Sequence, residues 1–219
     1  MVADVQVSAL SENALLARTV HAVKSGDDLI LLDLETDDYI LVPECPTVQV
    51  NGAALRAPMD LLLDLAANDL LQSDGPASDR PGAPPLPKYA LPQTAAQHPS
   101  LRDMASFASI WAGASMRRPA LQALVEGFAG REGCRDDLIA VSGRVEMFRR
   151  LLPFAPRVGA CLFQAELLLR FLNAAGLDAD WVFGVRTWPF MAHCWLQIGD
   201  HCVSQNPETL TMYRPIMVI

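Results

Sequence analysis

Three short β-type runs, mostly apolar, stand near the start of the chain at 18–24, 29–34 and 39–42, divided by Ser25-Gly26-Asp27-Asp28 and Glu35-Thr36-Asp37-Asp38. Such runs broken by Gly- and Asp-rich turns predict a three-stranded antiparallel sheet. The pattern then changes. Met59, Leu62, Leu63, Ala66 and Leu70 recur at helical spacing within 58–71, with Asp60 near the start, which predicts a helix packed on that sheet. From Ser73 to Pro87 the pattern is lost in Pro, Gly, Ser and Asp, the composition of a semi-extended linker. The division this predicts is a domain over 1–72, a linker over 73–92 and a second domain over 93–219.

The second domain opens helical. Ser100-Leu101-Arg102-Asp103 is a capping signal, and Leu101, Met104, Phe107, Ala108, Trp111 and Ser115 keep helical spacing up to Arg117-Arg118-Pro119. Pro119 suits the first turn of a second helix ending near Gly130, and Val141, Val145, Phe148 and Leu152 mark a third that stops at Pro153. Residues 162–175 are apolar almost all round, with Pro156 and Gly159 ahead and Gly176 behind, so Cys161 is expected in the first turn of a core helix. Strands follow at 181–185, 192–198 and 201–204, the last two joined by a turn at Gly199-Asp200. Helices followed by strands predict an α+β class.

Composition narrows the function classes. With 17 Lys and Arg against 25 Asp and Glu, a formal charge of −8, the chain lacks the basic surface that phosphate backbones require. Asp27, Asp28, Asp33, Glu35, Asp37 and Asp38 on the first hairpins also disfavour a DNA-binding wing. Five scattered cysteines, Cys45, Cys134, Cys161, Cys194 and Cys202, argue against a disulfide framework and for a reducing compartment. No export signal and no membrane-length apolar run is evident, so a soluble cytoplasmic protein is expected. Neither internal repeats nor a phosphate-binding loop occur.

Candidate chemistry centres on Cys161 and His193. A helix N-terminus directs free N–H groups and the positive end of its dipole at a thiol, favouring thiolate, and a histidine nearby adds to this. Taken singly, a cysteine on an apolar helix is more often a core thiol, and a strand histidine is as often a core residue as a base. Together they are the parts of a nucleophile pair. With the turn at Gly199-Asp200, His193, Trp195 and Gln197 share one face of their strand, and the expectation is that His193 faces the cysteine helix. Cys194, Cys202 and His201 lie close enough to raise a zinc site, but no tight C-x-x-C or H-x3-H pair is present, and no metal is expected.

Cys161-Leu162-x-x-Ala165, Gly176-Leu177-x-Ala179 and Val182-x-Gly184-Val185-Arg186-x-x-Pro189-Phe190-x-Ala192-His193-Cys194-Trp195, closing with Tyr213-Arg214-Pro215-Ile216, resemble the transglutaminase-like cysteine peptidases of lasso-peptide biosynthesis, the B proteins. The resemblance runs from about Arg157 to Ile219. It implies a papain- or transglutaminase-like domain with a half-barrel-like sheet and removal of the leader from a ribosomal precursor, with no cofactor. An asparagine-synthetase-like macrocyclase then closes the ring. Cys161 would be the nucleophile, His193 the base and acid, and the Cys161 backbone N–H one oxyanion donor. Arg157 is read as a surface arginine beside the helix start. Where the family places an aspartate after the histidine hairpin, this chain has Gln205. A two-residue turn would instead put Asn206 opposite His193, and Asp200 could be recruited. Gln205 is preferred, as an amide orienting the imidazole in the manner of Cys-His-Asn enzymes.

Residues 1–72 resemble, more loosely, the PqqD-like winged-helix module that such peptidases often carry as a fused domain. That resemblance implies that a leader peptide adds as a strand beside Tyr39, Ile40 and Leu41, in a groove bounded by Leu62, Ala66 and Leu70. The expected partners are therefore the precursor and the macrocyclase, with neither nucleic acid nor membrane. Two rivals share these features: a non-catalytic protein that binds the leader and delivers the precursor to the cyclase, and an acyl transferase between glutamine and lysine.

Overall fold

A computed structural model describes residues 11–72, 80, 82–94, 98–117, 119–130, 133–155 and 161–219. The chain divides into two compact units, Met1–Gly82 and Ala83–Ile219.

In the first unit the expected hairpins form β2 (Val20–Ser25), β3 (Asp28–Asp33) and β4 (Asp38–Val42), in the order β2-β3-β4. A second three-stranded sheet, absent from the sequence reading, combines β1 (Ser11–Leu15), β5 (Gln49–Asn51) and β6 (Ala54–Pro58) in the order β1-β6-β5. Its tight hairpin turns at Gly52-Ala53, where Gly52 takes φ +59, a conformation that costs glycine no Cβ clash. The helix α1 is shorter than the pattern suggested, Met59–Ala67, entered through Pro58 and left through Asn68. Leu16, Val20, Leu29, Leu31, Leu55, Leu62, Leu65 and Leu70 make one apolar core between strands and helix. The expected three-stranded sheet and helix are both present, and the structure adds a second small sheet to them. Arg80 donates to the carbonyls of Ala17 and Val20, tying the chain back onto this unit.

The second unit begins inside the segment read as a linker. Of 73–92, residues 73–79 and 81 lie outside the described residues, while Tyr89–Ala90 form β7, and Leu86 packs against a core cluster of the large sheet. Then come α2 (Leu101–Met116), α3 (Leu121–Phe128), α4 (Leu138–Leu151) with a 3-10 turn at Leu152–Phe154, and α5 (Cys161–Asn173). Ser100 and Asp103 form the reciprocal capping box that starts α2. Asp103 also holds Arg144 of α4, whose guanidinium lies 3.5 Å over the Phe171 ring of α5. With Phe107, Phe148 and Phe171 at 5.7–6.0 Å, these contacts join the helices into one layer.

Against that layer lies a sheet of β8 (Asp180–Arg186), β9 (Met191–Ile198), β10 (His201–Cys202) and β11 (Arg214–Val218), in the order β11-β8-β9-β10-β7. All neighbours are antiparallel except β10 and β7. The molecule is thus α+β, as the element pattern predicts. The strand expected at 201–204 stops at Cys202, because the Ser204 hydroxyl, rather than a backbone carbonyl, accepts the N–H of Leu196 (3.2 Å) and the chain turns out of the ladder.

One close approach sets the geometry of the central hairpin. Trp195, fully buried, lies over Gly184 of the neighbouring strand, where a Cβ would stand 2.6 Å from two indole carbons. Its Nε1 donates to the buried Gln197 Oε1 at 2.8 Å, and Gln197 in turn donates to Pro85 O at 3.2 Å, so the indole is fixed at both ends. Replacing a strand glycine by alanine ordinarily stabilises through the unfolded chain. Here overpacking dominates, and Gly184→Ala is expected to cost about 1–3 kcal/mol in urea unfolding followed by tryptophan fluorescence. A neutral or stabilising result would mean that the indole moves aside freely.

Candidate active site

Cys161 is the first residue of α5, a helix whose Leu167, Phe171 and Leu172 are wholly buried. The residues expected to initiate the helix, 156–160 including Arg157, lie outside the described residues. The apolar surface that packs α5 on the hairpin leaves its first residue at the end of the helix, half-buried.

On β9 the alternation is as the sequence suggests, but the face turned to the helices is the other one. Cys194 pairs in register with Phe183, which stacks on Trp181, itself edge-on to Phe128 of α3. His193 pairs with Gly184 and lies on the opposite face with Trp195 (6.3 Å between rings) and Tyr213 (5.4 Å). The expectation that His193 faces the helix is therefore corrected. Because Cys161 stands at the end of α5, its sulfur meets both residues: the Cys194 thiol and the His193 ring are each hydrogen-bonded to it.

These contacts govern the protonation states. The Cys161 thiol is lowered to about 4, first by the hydrogen bond from the Cys194 thiol, then by His193 and the Cys194 backbone, against half-burial that works the other way. His193 is raised above its ordinary 6.5, chiefly by Cys161 and further by Gln205, again against burial. Cys194 is pushed far up, because losing its proton would place a second negative sulfur beside Cys161 in a buried position.

Gln205 is the residue brought to His193. Its Oε1 lies 2.9 Å from Nε2 of the ring, while its Nε2 donates to Thr209 Oγ1 at 3.1 Å. Thr209 Oγ1 donates in turn to Asn206 O at 2.7 Å, which leaves it as an acceptor for the amide N–H and orients the amide oxygen toward the imidazole. The ring's Nε2 is thereby the protonated nitrogen facing Gln205, and Nδ1 remains for the sulfur. Asn206 instead caps the short 3-10 helix Pro207–Leu210, accepting from Glu208 N at 3.1 Å. Asp200 sits in the turn after β9, exposed and paired with Lys88 at 3.2 Å. Neither of these alternatives reaches the ring. A cavity of about 280 Å³ lies behind Gln205, lined by Leu91, Pro92, Val145, Arg149 and Val203 among others. Among the described residues no group of three His, Cys, Asp or Glu is arranged to hold a metal ion.

In the first unit, β4 is an edge strand, and its outer edge has no strand partner among the described residues. Tyr39, Ile40 and Leu41 pair with Leu32, Leu31 and Ile30 and are half-buried. Leu62 and Leu70 are buried in the core, with Ile40 packed on it, so these are packing residues whatever else they do. Ala66 is exposed, since α1 buries Leu62 and Leu65 instead.

Sequence reasoning missed the contact of Cys194 with Cys161 and the orienting role of Thr209 for the Gln205 amide. Adjacency to His193 was the only signal for the first. The second depends on a local turn that no periodic pattern announces.

A model of the transglutaminase-like superfamily matches residues 104–218, 115 of the 219 residues. The microcin J25-processing protein McjB of Escherichia coli is 40% identical over 48 residues, 22% of this chain and 23% of that protein. The match thus spans less than a quarter of the relative's length. No solved structure matches the chain. Among the described residues no helix is long and apolar enough to cross a membrane.

A thiolate–imidazolium state is populated between the pKa of Cys161, about 4, and that of His193, above 6.5. Alkylation of Cys161 by iodoacetamide, followed by peptide mapping, is expected to stay fast on acidification until about pH 4, whereas an ordinary thiol slows below about 8.5. Cys194→Ala removes the largest stabilising contact and shifts the midpoint upward. A wild-type midpoint near that of a free cysteine would contradict this electrostatic picture.

Proposed function

From the membership of this chain in the transglutaminase-like superfamily, we propose that it is a cysteine peptidase that removes the leader from a ribosomal precursor peptide during lasso-peptide maturation. The observation that carries this reading is the Cys161–His193–Gln205 arrangement, in which an acidic thiol, a basic imidazole and an oriented amide meet at a helix start. The similarity to McjB, a microcin J25-processing protein, points the same way.

The Cys161 thiolate attacks the carbonyl at the leader/core junction, and the oxyanion is received by the Cys161 backbone N–H at the positive end of α5. Collapse of the tetrahedral intermediate breaks the C–N bond, and the core's amine takes the proton from Nδ1 of His193. Neutral His193 then removes a proton from water, which attacks the thioester. The leader leaves as a carboxylic acid and the thiolate–imidazolium pair is restored. Gln205 holds Nε2–H throughout, so Nδ1 is always the nitrogen that exchanges protons. An amide brings no negative charge to the imidazolium, and that part falls to the thiolate itself.

Residues 1–72 supply recognition in this reading. A leader would add as a strand beside Tyr39, Ile40 and Leu41, on the side of β4 that has no strand neighbour among the described residues. The released core passes to a macrocyclase. One observation favours a second reading, in which the protein binds and delivers the precursor without cutting it: Gln205 stands where a carboxylate would make the stronger partner for His193.

Mass spectrometry of the precursor encoded beside this protein, incubated with it with and without the cyclase and ATP, separates the two. Release of intact leader is expected, and its abolition in Cys161→Ala. Gln205→Ala loses a hydrogen bond to a charged group, worth about 1.5–3 kcal/mol, and is expected to slow release about ten- to hundredfold. Gln205→Glu adds the missing charge and moves the alkaline limit of activity to higher pH. Binding of the precursor without cleavage under every condition would establish the delivery reading instead.

A further inference from the structure

Arg186, the last residue of β8, has a charge that the fold leaves unanswered. In the second unit every other half-buried arginine among the described residues holds a carboxylate: Arg135 with Asp178 and Asp180, Arg144 with Asp103, Arg150 with Glu146, and Arg170 with Glu166. Arg186 holds none. Among the described residues its Nε is buried without a hydrogen-bond partner, and its two terminal nitrogens meet the thioether sulfurs of Met191 and Met212, which are weak acceptors. In a chain with 25 acidic residues against 17 basic ones, a half-buried guanidinium that meets no carboxylate among the described residues is suited to receive one from a bound molecule.

Its position says which anion. Arg186 pairs with Met191 and Gly184 with His193, so Arg186 and His193 project from the same face of the hairpin, two residues apart. That offset is about 6.6 Å along a strand, the same as the side-chain repeat of an extended peptide. The guanidinium lies 5.7 Å from the Tyr213 ring centroid, and Tyr213 also contacts His193, so the cation is held in place beside the reacting groups. Around it Trp188, Met191 and Met212 are 73%, 43% and 61% exposed, an apolar rim that lowers the local dielectric when covered. Building on the peptidase reading, we infer that Arg186 binds the side-chain carboxylate of an acidic residue within a few residues of the scissile bond of the precursor peptide, and so selects the cleavage position. A backbone carbonyl would satisfy one N–H. A carboxylate fits the fork of the guanidinium and neutralises it.

The test is a double-mutant cycle between protein and peptide. Each Asp or Glu near the cleavage position of the neighbouring precursor is changed to Asn or Gln and assayed with wild type, Arg186→Met and Arg186→Lys. One amide change in the peptide is expected to lower kcat/KM about 10–100-fold with wild type, mainly through KM, and to have no further effect with Arg186→Met. Arg186→Lys restores part of the loss. The alkylation profile of Cys161 should be the same in both Arg186 variants, which a general disturbance of the site would not allow. The same cycle is read as Kd by fluorescence anisotropy of labelled precursor on a Cys161→Ala background. Coupling in Kd with no leader release by wild type would retain the carboxylate site and discard the peptidase. Additive losses, no loss, no binding, or a precursor without an acidic residue near the cut would overturn the inference even if cleavage is efficient. The peptide changes leave the protein untouched, so they decide the matter should Arg186→Met fail to fold.

Discussion

Burial of α5 against the β8–β9 hairpin is the constraint on which the rest of the second unit depends. Leu167, Phe171 and Leu172 are fully withdrawn from water, and side chains of this size contribute about 1.5–3 kcal/mol each when buried. The same packing fixes where the helix begins relative to β9, and Cys161 is its first residue. A shift of one residue along the helix would rotate the thiol by about 100° and remove it from both Cys194 and His193. The acidity of the thiol is thus a consequence of core packing as much as of local charge.

His193 is held from three sides by different kinds of contact. Trp195 and Tyr213 confine the ring plane, Gln205 fixes the proton on Nε2, and the sulfur of Cys161 completes the arrangement. Each of these holders is itself held: Trp195 by the space over Gly184, Tyr213 with Leu210 in a buried cluster, and Gln205 by Thr209. An amide in this position orients without charging. The imidazole is raised, chiefly by the sulfur of Cys161, so its positive form leans on the thiolate rather than on a carboxylate.

The first unit follows a different economy. Its two small sheets and short helix share one apolar core, and that core claims Leu62 and Leu70 and partly Ile40. On its outer side β4 has no strand neighbour among the described residues. In the second unit, Arg186 meets no carboxylate among the described residues.

Much of this organisation was legible from local pattern. Short apolar runs bounded by Gly- and Asp-rich turns marked β2, β3 and β4, and the Ser100–Asp103 signal marked the start of α2. The β1-β6-β5 sheet escaped because its strands are short and one of its two pairings, β1 with β6, joins residues far apart in the chain, although Gly52 marked a readable turn. Tyr89–Ala90 escaped because a Pro-rich neighbourhood conceals a strand whose only support is the edge of a distant sheet. By itself the sequence determined the α+β class and the candidate pair Cys161 and His193, since both rest on local spacing and residue type, while the preference for Gln205 among three orienting residues came from the family resemblance. Only the tertiary structure decided that Cys194 shares the thiol, that Asn206 and Asp200 are spent on a helix cap and a lysine, and that Arg186 lacks a carboxylate. Those outcomes depend on which polar groups meet across long sequence separations, and hydrophobic periodicity carries no information about that.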